Sequence, residues 1–203
     1  MTESMKGISG SMYAGKTELL LKEISRAEIS GKKVQVFKPA IDDRWGVVTK
    51  IRSHSGGEHD ACAVKNAVNI LECLEPDTQV VAIEEIQFFD PSIIDVVQVL
   101  LEADIHVIFA GLSQDFRGEP FGSMPTLLAL SDEIERPTAI CTEVIDGEIC
   151  GSPATKTQRL INGQPANYHD PIVLIGDKNE GYQARCPKHH KVPGKPNPSL
   201  GKD

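Results

Sequence analysis

The first residues spaced for chemistry are Gly10–Thr17, which read G-x-x-x-x-G-K-T. Glycines let the backbone turn so that successive N–H groups point at one anion, and a helix that follows adds partial positive charge. Lys16 can then reach the β- and γ-phosphates of ATP, and the Thr17 hydroxyl can ligate Mg²⁺. The predicted phosphate-loop contacts are Ser9, Gly10, Ser11, Met12, Tyr13, Ala14, Gly15, Lys16 and Thr17.

Two acids form the second candidate site, because Glu84 and Glu85 directly follow the apolar run 80–83. Such a run is typical of a central parallel strand that is covered on both faces and delivers its next residues to the sheet's carboxyl edge. Adjacent side chains of an extended chain point to opposite sides. One of the two acids can therefore serve Mg²⁺ while the other faces a substrate.

Cysteine and histidine near the C-terminus form a third candidate site. Cys141 and Cys150 flank a stretch with an Asp-Gly hairpin turn, and Cys186 and His189 have C-x-x-H spacing. Two thiolates on one hairpin and a Cys/His pair on another suit a tetrahedral structural Zn²⁺. The first spacing is wider than usual, and His190 competes with His189. Unlinked thiols beside surface histidines remain the alternative.

A folded scaffold must position these residues. The pattern of hydrophobic residues predicts that this scaffold is an α/β fold. Apolar runs alternate with helical periodicity, as expected for a mostly parallel sheet with helices on both faces and right-handed crossovers. The glycine- and proline-containing stretch 112–122 follows a strand and is placed to close over a ligand. The pattern predicts strands near 6–9, 33–37, 80–85 and 105–111, helices over 17–31, 63–74, 91–103 (capped by Asp90) and 124–130, and a polar loop over 46–62.

Composition narrows the class of protein. The chain has 203 residues, enough for one large domain or one domain with a small appendage. Its net charge is −8 and its pI is near 5.3, which disfavours binding to nucleic acid or to an anionic membrane. The sequence has neither a signal-peptide pattern nor an apolar run long enough to span a bilayer. Five reduced cysteines and ATP chemistry fit a cytoplasmic location.

The sequence pattern changes to short strands and turns near residue 138, and the composition changes again near residue 192, so we predict three segments. We expect an α/β kinase domain over residues 1–137 and a zinc-binding lasso domain with short strands over 138–191. The Pro-, Gly- and Lys-rich residues 192–203 are expected to be a disordered tail.

The motifs extend over nearly the whole chain, from Gly7 to about His189. They are Gly10–Thr17, Phe37-Lys38-Pro39 with Asp42 and Arg44, Glu85-x-Gln87-Phe88-Phe89, 115–122 (D-F-R-G-E-P-F-G), 157–160 (T-Q-R-L), and Cys186-x-x-His189. As a set they resemble type II thymidine kinases, the zinc-containing family of bacterial and cytosolic animal enzymes.

The resemblance implies a P-loop NTPase fold of the RecA-like kind. It implies transfer of the ATP γ-phosphate to the 5′-hydroxyl of thymidine, and of deoxyuridine, for nucleotide salvage. Glu85 matches the family's catalytic base, Glu84 occupies the position of its metal-side acid, and Gln87 is expected on the nucleotide side. Backbone groups of 172–176 are expected to bind the edge of the base. The residues expected to contact the substrate, either at the nucleoside or near the hydroxyl that accepts the phosphate, are Met12, Arg44, Phe88, Leu112, Phe116, Arg117, Phe121, Ile172, Leu174 and Tyr182.

The family likeness also implies feedback inhibition by thymidine triphosphate (dTTP), a homotetramer, and zinc ligation by Cys141, Cys150, Cys186 and His189. The sequence departs from the family pattern where Glu84 and Ser113 replace aspartates, and where six extra residues separate Cys141 from Cys150. Two alternatives remain at this point. A P-loop ATPase acting on nucleic acid is opposed by the acidic charge, and a zinc module without catalysis would leave Lys16 and Glu85 without a role.

Overall fold

A seven-stranded sheet forms the centre of the protein. The computed structural model describes residues 4–40, 48–172 and 180–197. The strands are β1 (Met5–Ser9), β2 (Val34–Pro39), β3 (Val48–Arg52), β4 (Glu58–Val64), β5 (Val80–Ile83), β6 (His106–Gly111) and β7 (Glu133–Glu135). Their order across the sheet is β3-β4-β2-β5-β6-β1-β7, and all neighbours are parallel except β3 and β4. The predicted mostly parallel sheet is confirmed.

Helices cover both faces of this sheet, as predicted. They are α1 (Lys16–Ile29), α2 (Val68–Glu72), α3 (Ile93–Glu102) and α4 (Met124–Leu130). Leu20 and Ile24 of α1 pack on one face with Ile8 of β1. The other three helices pack on the opposite face against a cluster that includes Phe37 and Phe109. This burial on both sides explains why β5 is apolar at every position.

The region between β2 and β5 differs from the sequence prediction. Residues 48–64 form a hairpin of β3 and β4 where a polar loop was predicted, and α2 begins only at Val68. The reason is tertiary: β4 pairs with β2, and one face of the hairpin buries Ile51 and Ala61 under α1. The other face of the hairpin is exposed and polar, so the alternation of apolar and polar residues is weak in the sequence.

The start of α3 also differs from the prediction. Ser92, not Asp90, occupies the N-cap position. Asp90 instead uses its two carboxylate oxygens to accept hydrogen bonds from the backbone N–H groups of Ser92, at 3.1 Å, and Ala67, at 3.0 Å. The carboxylate therefore ties the approach to α2 to the approach to α3.

Beyond β7 the chain forms small antiparallel sheets. Their strands are β8 (Ala139–Ile140), β9 (Val144–Ile145), β10 (Glu148–Ile149), β11 (Pro153–Ala154), β12 (Lys156–Ile161), β13 (Gln164–Pro165) and β14 (Glu180–Arg185). β9 pairs with β10, β8 with β11, and β12 lies between β13 and β14. Asp146 and Gly147 turn the β9–β10 hairpin with φ values of 52° and 88°, as their dipeptide predicts. The boundaries of the three segments stay a prediction, and residues 198–203 lie outside the described residues.

None of the helices in the described ranges is long and apolar enough to cross a membrane.

Phe109 of β6 packs in the core on the sheet face that α2, α3 and α4 cover, so its truncation tests this packing. Its side chain is 0% exposed. We expect Phe109→Ala to lower the free energy of unfolding by about 3–5 kcal/mol, because it removes buried area and leaves a cavity. Chemical denaturation followed by circular dichroism measures this. The control is Val99→Ala on α3, where the side chain is 46% exposed and a change within about 0.5 kcal/mol is expected. Equal losses for both variants would contradict this packing.

Candidate functional site

The predicted phosphate loop lies between β1 and α1, at the carboxyl edge of the sheet. Gly15 precedes α1 with φ of 82°, in the left-handed region that glycine adopts without steric cost. Lys16 is turned inward, and its ammonium donates a hydrogen bond to the Ser11 carbonyl at 3.0 Å. Burial lowers the pKa of Lys16, against the opposing charges of Glu85 and Glu84. The loop thus holds one partly dehydrated cation within an N–H-rich turn, which suits a polyphosphate.

Glu84 faces this loop from the end of β5. The Thr17 hydroxyl donates a hydrogen bond of 2.6 Å to one carboxylate oxygen, Oε1. The other oxygen, Oε2, is buried without a hydrogen-bond partner among the described residues. Burial, and then the charge of Glu85, raises the pKa of Glu84 to about 7. A buried carboxylate oxygen beside the phosphate-loop threonine has the chemistry of a ligand for a hard divalent cation.

Glu85 is held in a different backbone conformation from its neighbour. Its φ is 51°, in the left-handed region, and it precedes a single 3₁₀ turn over Ile86–Phe88. A non-glycine residue there costs about 1–3 kcal/mol and persists only where the surroundings fix it. The sequence predicts that Glu84 and Glu85 extend strand β5, but β5 ends at Ile83. The two acids therefore point in different directions because of the turn at Glu85 and not because of strand alternation.

Gln87 fixes Glu85 to the next strand. Its side-chain N–H donates to a carboxylate oxygen of Glu85. Its carbonyl oxygen accepts the backbone N–H of Leu112 at 3.1 Å, just after β6. The Gln87 side chain is nearly fully buried, so its hydrogen bond to Leu112 is shielded from water. The sequence predicts Gln87 on the nucleotide side. Its described hydrogen-bond partners are Glu85 and Leu112, and a contact with the nucleotide stays a prediction.

Aromatic side chains lie in the turn that follows Glu85 and in loop 112–122. Phe88 and Phe121 meet edge to face with ring centroids 5.4 Å apart, and Phe116 is buried. The Asp115 carboxylate shapes the loop 112–122 by accepting the backbone N–H groups of Arg117 and Glu119 at 2.9 and 3.0 Å. Sequence reasoning did not single out Asp115, although it begins the D-F-R-G-E-P-F-G motif.

Arg117 joins this loop to the segment that leads toward the predicted base-binding backbone. Its guanidinium donates to the Asp170 carbonyl at 2.8 Å and lies 5.0 Å from the ring centre of Tyr168. Ile172 is partly exposed at the end of that segment. Arg44 and Leu174, which were predicted to contact the nucleoside, lie outside the described residues.

The phosphate loop contacts strands near the C-terminus. Met12 donates its backbone N–H to the Thr157 hydroxyl at 3.0 Å. The Tyr13 hydroxyl donates to the Tyr182 carbonyl at 3.1 Å, and the Tyr13 ring lies 5.6 Å from that of His54. His54 is exposed, as the prediction of a surface residue requires, but it stands against the phosphate loop. The sequence carried Thr157 only as part of the T-Q-R-L motif.

Three cysteines and one histidine meet in a cluster formed by Cys141, Cys150, Cys186 and His189. Their ligand atoms all lie within 4.8 Å of one another. His189 Nδ1 is 3.4 Å from the Cys186 sulfur and 3.6 Å from that of Cys141. Ligands of a tetrahedral zinc site stand about 3.5–4 Å apart, so the set is compatible with structural zinc.

Hydrogen bonds in and beside the cluster also favour metal binding by these four residues. Hydrogen bonds with Ser152 lower the pKa of the Cys150 thiol to about 6, which favours the metal-binding thiolate. The competing residue His190 points elsewhere, because its Nε2 donates to the Phe116 carbonyl at 2.8 Å. His189 is therefore the histidine that the fold brings to the cysteines.

Comparison with known families adds one finding to this geometry. A protein-family model described as thymidine kinase matches residues 3–190. The chain belongs to the thymidine kinase family. Its activity is the phosphorylation of thymidine in nucleotide salvage, and its substrates are thymidine and ATP. The match spans both the phosphate loop and the Cys/His cluster, so both are parts of one kinase.

The bridge formed by Gln87 generates a prediction. In Gln87→Leu, the Leu112 N–H loses its partner and Glu85 loses the group that holds it. We expect the free energy of unfolding to fall by about 1–3 kcal/mol. Turnover should fall about tenfold or more because the carboxylate is misplaced. Denaturant unfolding and steady-state thymidine phosphorylation measure the two effects. Gln98→Leu on the exposed side of α3 is the matched control, and a Gln87 variant that behaves like it would contradict the bridge.

Proposed function

We propose that this kinase transfers the γ-phosphate of ATP to the 5′-hydroxyl of thymidine, with Glu85 as the general base. The observation that carries the proposal is the placement of Glu85. Its carboxylate is half-buried, fixed by Gln87, and close enough to the phosphate loop for its charge to act on Lys16. A base must stand within hydrogen-bond reach of the hydroxyl that attacks the phosphate.

The transfer assigned to these groups is a direct displacement. As the 5′-oxygen forms its bond to the γ-phosphorus, the hydroxyl proton passes to the Glu85 carboxylate. The bond from phosphorus to the β–γ bridging oxygen breaks, and ADP leaves with that oxygen. Because the transition state is loose, most of the catalysis comes from positioning and from neutralising charge. Lys16 and the loop N–H groups supply that charge from the phosphate side.

Thr17 and Glu84 are the residues that would hold Mg²⁺. The unpaired Oε2 of Glu84 and its hydrogen-bonded neighbour Thr17 support this assignment. Magnesium bound there would neutralise the β- and γ-phosphate oxygens. The remaining predicted phosphate-loop contacts, from Ser9 to Gly15, keep the role of cradling the phosphates through their backbone.

The nucleoside is assigned to the side chains around loop 112–122. Aromatic and apolar side chains bind the faces of a planar base and leave its edge to backbone groups. A pocket of this kind rejects a ligand lacking one methyl group only weakly, about 10- to 200-fold, so deoxyuridine is expected as a second substrate. The assigned residues are Met12, Phe88, Leu112, Phe116, Phe121, Ile172 and Tyr182, with Arg117 at the rim; Arg44 and Leu174 stay predictions.

The cysteine cluster is assigned to a structural zinc ion. All ligands come from the protein, which is the arrangement of structural rather than catalytic zinc. The cluster lies between β8, β11 and β14, so a bound metal would join strands that otherwise form very small sheets. This supports a zinc-bound lasso domain over residues 138–191.

Some further proposals rest on membership of the family and not on contacts in the structure. We propose dTTP as a feedback inhibitor, a homotetrameric assembly, and a cytoplasmic location. We also infer the RecA-like kind of P-loop fold, since β6 separates the phosphate-loop strand β1 from the acid-bearing strand β5.

The role of Glu85 is tested by Glu85→Gln, which keeps the size of the side chain but cannot accept the proton. We expect kcat to fall about 100-fold or more. ATP affinity, measured by calorimetry, should stay within about twofold, because the phosphate loop is unaltered. Glu102→Gln at the exposed end of α3 is the control and should have normal turnover. Normal turnover of Glu85→Gln would rule out Glu85 as the base.

The metal assignment is tested by elemental analysis of the purified protein. We expect about one zinc per chain. Cys150→Ser should reduce that content, since it removes one of the three sulfur ligands of the cluster. Cys73→Ser is the matched control, because Cys73 is exposed and is not part of the cluster. A zinc content that is the same in both variants would count against the assignment.

A further inference from the structure

The phosphate loop is anchored to the segment that carries the cysteines. The Ser11 hydroxyl donates a buried hydrogen bond of 3.0 Å to the carbonyl of Ala154, four residues after Cys150. Met12 donates its backbone N–H to the Thr157 hydroxyl, also at 3.0 Å. Two consecutive residues of the loop therefore bind the chain that leaves the cluster, Ser11 at the backbone carbonyl of Ala154 and Met12 at the side-chain hydroxyl of Thr157.

Apolar contact continues the same anchoring. Ala14 of the phosphate loop packs against the small core formed by Cys141, Cys186, Ala139, Ala154 and Ala184, which Cys150 also contacts. Three of the four cluster residues thus belong to the surface on which the loop rests.

The approach is also close at the beginning of the loop. A Cβ atom on Gly10 would stand 2.5 Å from the carbonyl oxygen of Pro137, a distance that only glycine avoids. The backbone of the loop therefore lies directly on the chain that enters β8. No larger residue at position 10 could keep this contact without displacing the backbone of Pro137.

These contacts place two binding events on one piece of structure. Ligation of the cluster would fix the backbone from Cys141 to Ala154 and from Ala184 to Cys186. Binding of phosphates would order the loop whose side chains and N–H groups reach that backbone. When one ligand orders groups that another also needs ordered, each binds more tightly in the presence of the other.

We propose that the Cys₃His cluster supports the phosphate loop, so that metal retention and nucleotide binding are reciprocally coupled. This inference rests on the proposed function, in which the loop binds ATP and the cluster binds zinc. It assigns Ser11 as a positioning residue that acts through Ala154, in addition to any contact with phosphate. Metal loss would then weaken nucleotide binding directly, and not only through the nucleoside clamp, meaning the part of the lasso domain proposed to bind the base.

The test measures zinc release from the full-length holoprotein to a chromophoric chelator. Traces are recorded without ligand and with saturating ADP and excess Mg²⁺, since ADP occupies the loop without turnover. We expect ADP to slow release about fivefold or more, within the usual range of coupling between sites. Equal rates, or faster release, would overturn the proposal. Thymidine alone should have the smaller effect; a larger effect than that of ADP would place the coupling in the nucleoside clamp instead.

Two variants separate the coupling from side effects. Lys16→Ala removes the cation that binds the phosphates, so ADP should no longer slow release; an undiminished effect would mean that ADP acts in solution and would refute the proposal. Ser11→Ala removes the hydrogen bond to Ala154 and should reduce the ADP effect about twofold or more. Ser131→Ala is its control, because that hydroxyl also donates to a backbone carbonyl, Leu127, at 2.8 Å but far from the loop in sequence. Equal ADP effects in these two serine variants would contradict the role of Ser11.

The reciprocal measurement uses protein depleted of zinc and checked for secondary structure by circular dichroism. ADP affinity should fall about fivefold or more and return when zinc is restored. Unchanged affinity would refute the coupling while leaving the kinase assignment intact. Purified kinase that contains no zinc but binds ADP normally would refute both the metal assignment and the coupling. If the depleted protein unfolds, the release traces on the holoprotein decide the question alone.

Discussion

The hydrogen bond from Thr17 to the buried Glu84 carboxylate is the interaction on which the arrangement of the site depends. It joins the first turn of α1, the helix that follows β1, to the end of β5, and β6 lies between β1 and β5 in the sheet. Burial makes the bond costly to break, because the carboxylate would lose its donor in a poorly hydrated place. Gln87 then carries the same restraint from Glu85 to the end of β6. The phosphate loop, the acid pair and loop 112–122 are thereby held at one edge of the sheet.

The parts of this site that the sequence predicts are those encoded by local patterns. The G-x-x-x-x-G-K-T stretch specifies a turn and a helix start from glycine and lysine spacing alone. The apolar run before Glu84 predicts a buried strand because a parallel strand has no polar face. The Asp146-Gly147 dipeptide between Cys141 and Cys150 predicts a hairpin turn, and this turn lets the two thiols meet despite their wide spacing.

The rest depends on contacts between distant residues, which spacing cannot reveal. The β3–β4 hairpin reads as a polar loop until β2 and α1 supply its partners. The left-handed backbone of Glu85 has no local signature, because nothing in Ile83–Gln87 requires it except the partners of Gln87. The same limit applies to Thr157, whose hydroxyl meets Met12 across 145 positions of sequence. Local chemistry is readable from one segment, but its orientation is a property of the assembled sheet.

The glutamate at position 84 shows how a longer side chain changes this edge of the sheet. An aspartate is one methylene shorter, so its carboxylate would stand about 1.5 Å further from Thr17 if the backbone were unchanged. The present contact of 2.6 Å would then need a bridging water or a shift of β5. Because Glu84 reaches the threonine directly, Oε1 is committed to the protein and Oε2 is the oxygen that remains for a cation. The extra methylene therefore lets Oε1 reach Thr17 directly while Oε2 stays open for the proposed Mg²⁺, whereas a shorter acid would need a water to link it to the loop.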